Sequence, residues 1–199
     1  MRRALFPAFG LLLAACSGGL PPKGASAPYV PRYPDPIAVT MPATAPSITQ
    51  QFRAPASALG EGREWSDHNG LDVHAPIGTP VLAAAPGRVV QSHFDPAYGN
   101  VVMIDHGGGH WTRYAHMQRR EVSAGATVSR GAGIGALGAT GVLSGGFPHL
   151  HFELWAQTPA GRRAIDPNLL WAGGAGRVTC LDQYRAGERF ALIYPVPCD

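Results

Sequence analysis

An all-β fold, mainly antiparallel, is what this sequence predicts, and three observations carry that prediction. Short runs of strand character recur through the middle of the chain, each bounded by glycine or proline. Gly 26 and Pro 19 in 199 residues favour turns and short strands over long helices. No twelve-residue amphipathic pattern of helical period stands out, and no repeat is evident. The strand candidates, in order, are 79–84, 87–92, 100–105, 111–117, 126–128 and 149–155. The glycine-rich stretch 131–138 lacks the following helix and lysine of a phosphate loop, so it reads as tight turns around a small-residue strand and implies no nucleotide.

Flanking segments divide the chain further. Arg2 and Arg3 precede a short apolar run over 4–13 that ends in Leu13-Ala14-Ala15-Cys16. The run is too short to span a bilayer and reads as a processing signal. Its end resembles a bacterial lipobox, which implies cleavage before Cys16 and lipid attachment there. Ser17 after the cysteine points to outer-membrane sorting, so an anchored protein facing the periplasm is expected. Residues 16–46 are rich in Pro, Ala, Gly and Ser and read as an extended tether. The expected domains are thus a signal over 1–15, a tether over 16–46, a folded domain over 47–170 and a less regular tail over 171–199. With Cys16 lipidated in an oxidising compartment, Cys180 and Cys198 are expected to form a disulfide closing that tail.

Charge adds an exclusion. The net charge is +3, and the arginines and lysines are scattered, so no nucleic-acid patch forms. Hydrophobic residues make up 45% and charged residues 15%, which leaves enough apolar material for a core.

The eight histidines carry the chemical signal. His149 and His151 lie one residue apart in the strand-like run 148–155, so they leave the same face roughly 6–7 Å apart. His68 and Asp72 are four apart and would stand about 13 Å apart in a straight strand, so the chain must bend, most cheaply at Gly70. Imidazole and carboxylate together suit zinc, and one histidine of the 149/151 pair would complete a three-ligand set with an open fourth position. That is the arrangement of a catalytic metal rather than a structural one. The other histidine of the pair, and His116, would then be free for acid–base work.

His68-Asn69-Gly70-Leu71-Asp72-Val73, Ala75-Pro76-Ile77-Gly78-Thr79-Pro80-Val81, Tyr98-Gly99-Asn100, Tyr114-Ala115-His116 and His149-Leu150-His151-Phe152-Glu153 resemble, in order, the lysostaphin and LytM type of zinc metallopeptidase. The resemblance runs from about Ile48 to Pro167. It implies a LytM-like β domain in which His68, Asp72 and His151 bind one Zn2+, with His116 and His149 as catalytic histidines flanking the activated water. It further implies hydrolysis of peptide bonds in peptidoglycan stems or cross-links, with peptidoglycan and cell-division or wall-remodelling proteins as partners. The family includes relatives that have lost ligands and activate cell-wall amidases instead, so a catalytically silent wall-binding regulator is the competing expectation. Every ligand position is filled here.

Other residues depart from the pattern or stand beside it. The segment 140–148 before the His-x-His pair is longer than the family's turn and is expected to border the cleft. His74 replaces a small residue. His106 and His110 read as hairpin residues, His93 as surface, and Glu153 as either a carboxylate holding a ligand imidazole or a solvent-facing one. Tyr114 is a candidate to hydrogen-bond substrate, on the expectation that it shares a face with His116.

Overall fold

The computed structural model describes residues 37–53, 68–187 and 189–198. The signal segment, Cys16 and the tether up to residue 36 lie outside the described residues. Among the described residues eleven strands follow one another: β1 (Ile48–Gln50), β2 (Leu71–Val73), β3 (Pro80–Leu82), β4 (Gly87–Asp95), β5 (Gly99–Asp105), β6 (His110–Met117), β7 (Arg119–Arg120), β8 (Thr127–Val128), β9 (Gly133–Ala136), β10 (Leu150–Thr158) and β11 (Gly161–Ile165). Among the described residues helix is confined to three 3₁₀ turns, at Val142–Ser144, Pro167–Leu169 and Leu181–Gln183. The predicted antiparallel all-β class is therefore correct.

The large sheet runs β1-β2-β10-β6-β5-β4-β8, with β11 paired to the far half of β10. A small sheet, β3-β9-β7, completes the domain. Period-two alternation separates the two jobs of the central strands. On β10, Leu150, Phe152 and Leu154 enter the core, as do Leu71 and Val73 on β2 and Tyr114 on β6. The intervening residues, His151 and Glu153 on β10, Asp72 on β2 and Arg113 on β6, leave the other face and build the site.

Two expectations about the flanks need correction. Residues 37–46 are not free tether: Val39, Met41 and Ala45 pack against the core. The Thr40 N–H donates to Gly176 O at 2.7 Å, and the Val178 N–H donates to Thr40 O at 3.0 Å. Proline content hid an apolar alternation at positions 39 and 41 that suffices for a short bridge. The tail is irregular, as expected, but it is not an appendage. Trp171, Val178, Leu192, Tyr194 and Val196 are core residues, and the Tyr194 hydroxyl donates to Pro46 O at 2.6 Å. Cys180 and Cys198 form the expected disulfide, which clamps this returning segment.

Gly70 lies at a bend between His68 and β2, and its lack of a side chain has a second reason. A Cβ there would stand 2.4 Å from the backbone oxygen of Phe152, because the chain crosses β10 at close range to bring His68 beside Asp72. Gly70→Ala must therefore push the His68 segment off β10. Urea unfolding should show a loss of about 1–3 kcal/mol, the usual cost of overpacking, accompanied by weakened metal binding.

Candidate metal centre and catalytic cleft

Strand register places the first two candidate ligands. Asp72 on β2 stands directly opposite His151 on β10, and cross-strand partners have Cβ atoms only about 5 Å apart. On the other side His151 pairs with Ala115 of β6, whose methyl leaves room above the strand. After the bend at Gly70 the His68 ring folds back over this pair. The result is a tight triangle: His68 Nε2 to Asp72 Oδ1 is 3.0 Å, His68 Nε2 to His151 Nδ1 is 3.0 Å, and His151 Nδ1 to Asp72 Oδ1 is 2.9 Å. These three residues are also the group whose donor atoms are placed to hold one ion.

The proton positions explain why the triangle suits a cation. His68 Nδ1 lies 2.9 Å from Gln51 O, and a carbonyl can only accept, so that nitrogen carries the proton. His151 Nε2 lies 2.9 Å from Glu153 Oε1 and donates to it in the same way. In each neutral ring the inward nitrogen is then a bare lone pair. Two lone pairs and a carboxylate oxygen about 3 Å apart repel one another, unless a proton or a metal ion sits between them. Three such donors at this spacing fit an ion bound at about 2.0–2.2 Å, and the two outward hydrogen bonds are the orienting contacts that metal-bound histidines usually make.

Electrostatics agree with that reading. Burial opposes ionisation of Asp72, but hydrogen bonds from His151 and His68 outweigh it and hold the carboxyl well below the usual carboxylate range. Burial likewise works against a charged His151, yet the Asp72 and Glu153 carboxylates raise its pKa to about 9 when no metal is bound. Proton and metal compete for the same Nδ1 lone pair. Glu153 is fully buried. Desolvation would raise its pKa, and the His151 hydrogen bond, reinforced by the Arg113 charge, keeps it low. The Arg113 guanidinium pairs with Glu153 Oε2 at 3.2 Å, and the Trp155 indole N–H donates to the same oxygen. Of the two readings of Glu153, the solvent-facing one is ruled out: the carboxylate is buried and holds the His151 imidazole.

His116 reaches the site through a bulge. Asn100 pairs with Met117 and Val102 with Tyr114, so β6 carries one extra residue against β5. His116 has φ of 61°, a left-handed conformation that non-glycine residues adopt at a cost. Without it, His116 would follow Tyr114 into the core. The bulge turns the ring out so that its centroid lies 4.8 Å from that of His149 and 5.9 Å from that of His151. The same bulge corrects the expectation for Tyr114. That side chain is buried, its hydroxyl accepts from the Ala84 N–H at 2.8 Å and lies 3.0 Å from Thr112 Oγ1, and it contacts no substrate space.

His116 Nδ1 donates to Thr140 O at 2.8 Å, which leaves Nε2 as an acceptor facing the centre. Burial is the main reason its pKa falls to about 4, with the neighbouring His149 and His151 adding to the effect. His149 is arranged in parallel: Nδ1 donates to Phe147 O at 2.9 Å, and Nε2 lies 3.8 Å from Asp72 Oδ1. Tyr98, quoted above only as part of a motif, proves to be the aromatic packed beside His116 and His151. Its ring stacks on His116 at 6.2 Å and lies 5.9 Å from His151, while the Arg113 guanidinium lies over it, 5.0 Å from the ring centroid. Nothing in the spacing of Tyr98 marks it out, since it reaches the site from the β4–β5 turn.

The remaining histidines stay outside the metal group. His74 donates from Nδ1 to Pro148 O at 2.9 Å. His106 is held by Pro86 O and Thr112 Oγ1, both at 2.8 Å, His110 stacks on Phe190, and His93 is exposed. Beside the triangle opens a cleft of about 480 Å³ whose walls include Gln50, Asp72, Leu143, Phe147 and His149. The segment 140–148 thus borders the cleft as expected.

Residues 66–167, about half of the chain, match peptidase family M23, and the chain belongs to that family. The peptidoglycan DD-endopeptidase ShyA of Vibrio cholerae is 48% identical over 87 residues, covering 44% of this chain and 20% of that protein. The chain therefore spans about a fifth of the length of the curated relatives it matches first. A zinc-containing peptidase from Vibrio cholerae aligns at 34% identity and TM-score 0.51, covering 65% of this chain and 38% of that one. The catalytic domain of the prophage-encoded M23 protein EnpA from Enterococcus faecalis aligns at 30% identity and TM-score 0.51, covering 63% of this chain and 96% of that one. The fold and the resemblance drawn from the sequence are both of this kind.

Two outcomes test the metal centre without reference to activity. Glu153→Gln should retain one equivalent of zinc but lose about 10–100-fold in affinity, read by competition with a chromophoric chelator. The metal-free protein should also lose thermal stability as pH rises from about 6.5 to about 9. A histidine whose folded pKa is raised contributes its stabilisation below the unfolded value and loses it as pH passes the folded one. Zinc-loaded protein, with that lone pair committed, should show no such decline in thermal unfolding over the same range.

Proposed function

We propose that this chain is a zinc-dependent endopeptidase that hydrolyses peptide bonds in peptidoglycan stem or cross-link peptides. The observation that carries the reading is the convergence of three metal-ligating donor atoms with two histidines whose Nδ1 protons are taken by backbone carbonyls, with Asp72 and His149 lining an adjoining cleft. His68, Asp72 and His151 would hold the zinc ion. When bound, zinc supplies Lewis acidity, polarising a carbonyl oxygen and lowering the pKa of water.

The chain's own residues supply the rest. His116 is neutral above about pH 4, so its Nε2 accepts a proton at neutral pH, and the Thr140 carbonyl fixes its orientation. His149 presents Nε2 from the opposite side, held by the Phe147 carbonyl. One ring would take the proton of the attacking water at Nε2 and hand it to the amine nitrogen as the C–N bond breaks, and the other, in its protonated form, would donate from Nε2 to the oxyanion. Tyr98 stacks on the His116 ring and helps to hold its orientation. The lipobox-like end of the leader supports export as a lipoprotein anchored through Cys16, with outer-membrane attachment facing the periplasm. The cleft is open beside His149, whose side chain keeps 13% exposure, and this favours the enzyme over the silent regulator.

Purified sacculi incubated with the protein should lose cross-linked dimers, and a chelator should stop the reaction until zinc is restored. His116→Ala should reduce cleavage by at least about 10²-fold while binding one equivalent of zinc, whereas His151→Ala should lose the metal. Intact sacculi after incubation with zinc-loaded, disulfide-bonded protein would sink the enzyme reading and leave the regulator.

A further inference from the structure

His149 stands at the end of a loop that packing does little to hold. The side chains of Val142, Leu143 and Phe147 are 78%, 62% and 74% exposed. Gly145 and Gly146, at φ of 59° and 78°, place the most permissive kind of backbone shortly before it. The loop's own bonds tie it to itself and stop at Phe147: the Gly145 N–H donates to Val142 O, the Gly146 N–H to Ser144 Oγ and the Phe147 N–H to Ser144 O. The His149 ring takes its orientation from the chain just behind it, since Nδ1 donates to Phe147 O. Where that ring stands relative to the metal ligands therefore depends on how the peptide unit joining Pro148 to His149 is set.

That unit is gripped at both ends. Its N–H donates to Gly138 O at 3.1 Å, and its carbonyl, Pro148 O, accepts from His74 Nδ1 at 2.9 Å. A carbonyl can only accept, so this nitrogen carries a proton whichever charge the His74 ring has. The two grips come from the segments that carry the neighbours of His149. Gly138 lies against the backbone of His116, where a Cβ would stand 2.8 Å from His116 O. His74 follows Asp72 by two residues, and its own N–H is fastened to Ser47 O at 2.9 Å. So held, the His149 ring lies 4.8 Å from the His116 ring by centroids, with Nε2 3.8 Å from Asp72 Oδ1.

We propose that His74 is a positioning residue for His149, fixing through the Pro148 carbonyl the peptide from which the catalytic imidazole projects. His74 touches none of the metal ligands in this role and acts only as a hydrogen-bond donor. The inference rests on the peptidase reading, in which His149 works on the reacting groups, and adds a residue that places it.

The test compares two substitutions of nearly equal shape at this exposed position. The amide nitrogen of asparagine sits where Nδ1 does and can donate to Pro148 O, whereas leucine has no donor. With a soluble cross-linked muropeptide dimer as substrate, His74→Leu should lower kcat about ten-fold, as expected when a reacting group is misplaced by a fraction of an ångström. KM, the one equivalent of zinc and the far-ultraviolet spectrum should be unchanged. His74→Asn should keep at least half of the wild-type kcat. Because the effect runs through His149, adding His74→Leu to His149→Ala should cost nothing further. Equal kcat in wild type and His74→Leu, equal losses in the leucine and asparagine variants, or a further ten-fold drop on top of His149→Ala would each overturn the positioning role and leave the peptidase reading intact. A loss confined to KM would make His74 a substrate contact, and a loss of zinc would make it a support of the metal; either result overturns it too. A wild type that cuts neither the dimer nor sacculi removes the peptidase reading, and the positioning role falls with it.

Discussion

Two hydrogen bonds on the outer edges of two imidazoles fix the character of the whole site. His68 gives its Nδ1 proton to the Gln51 carbonyl, and His151 gives its Nε2 proton to Glu153. Each ring is thereby left with its lone pair pointing inward at Asp72. Everything around the triangle can be understood as support for that arrangement. Arg113 pairs with the buried Glu153 carboxylate and adds a full positive charge to the support that His151 and Trp155 give it. Arg113 also lies 5.0 Å from the Tyr98 ring, so one side chain touches both the partner of His151 and the aromatic beside His116. Gly70 permits the close crossing that delivers His68, and Ala115 clears the space above His151.

The sheet supplies distance and direction, while an irregularity in β6 supplies the remaining group. A regular antiparallel pair sets Asp72 against His151 with no further device. Period two then carries Glu153 to the same face, where it meets His151 Nε2. His116 is different, since the same period would bury it with Tyr114. The bulge in β6, with its left-handed residue, is where backbone regularity is surrendered to turn the His116 ring toward His149 and His151.

Much of this was legible in the sequence, and the boundary is physical. The strand class, the His-x-His geometry and the pairing of the two cysteines follow from local pattern and compartment. The bend at Gly70 was legible too, though its contact with the Phe152 carbonyl depends on a strand more than 80 residues away. Tyr114 was misread because a bulge is set by two strands together and leaves no mark on either alone. Tyr98 and Arg113 were missed as site residues because their roles arise from where turns and neighbouring strands bring them. The ends of the folded domain were drawn too tightly at both sides, since residues 37–46 and the tail are stabilised by each other. Proline-rich composition says nothing of a partner that far along the chain.

X-ray absorption at the zinc edge of the loaded protein tests the central claim most directly. The account predicts two imidazole nitrogens, one carboxylate oxygen and one exchangeable light atom around zinc, the imidazole signal dropping by half in His68→Ala. A third imidazole from His149, a sulfur ligand, or a site closed by four protein donors would contradict it.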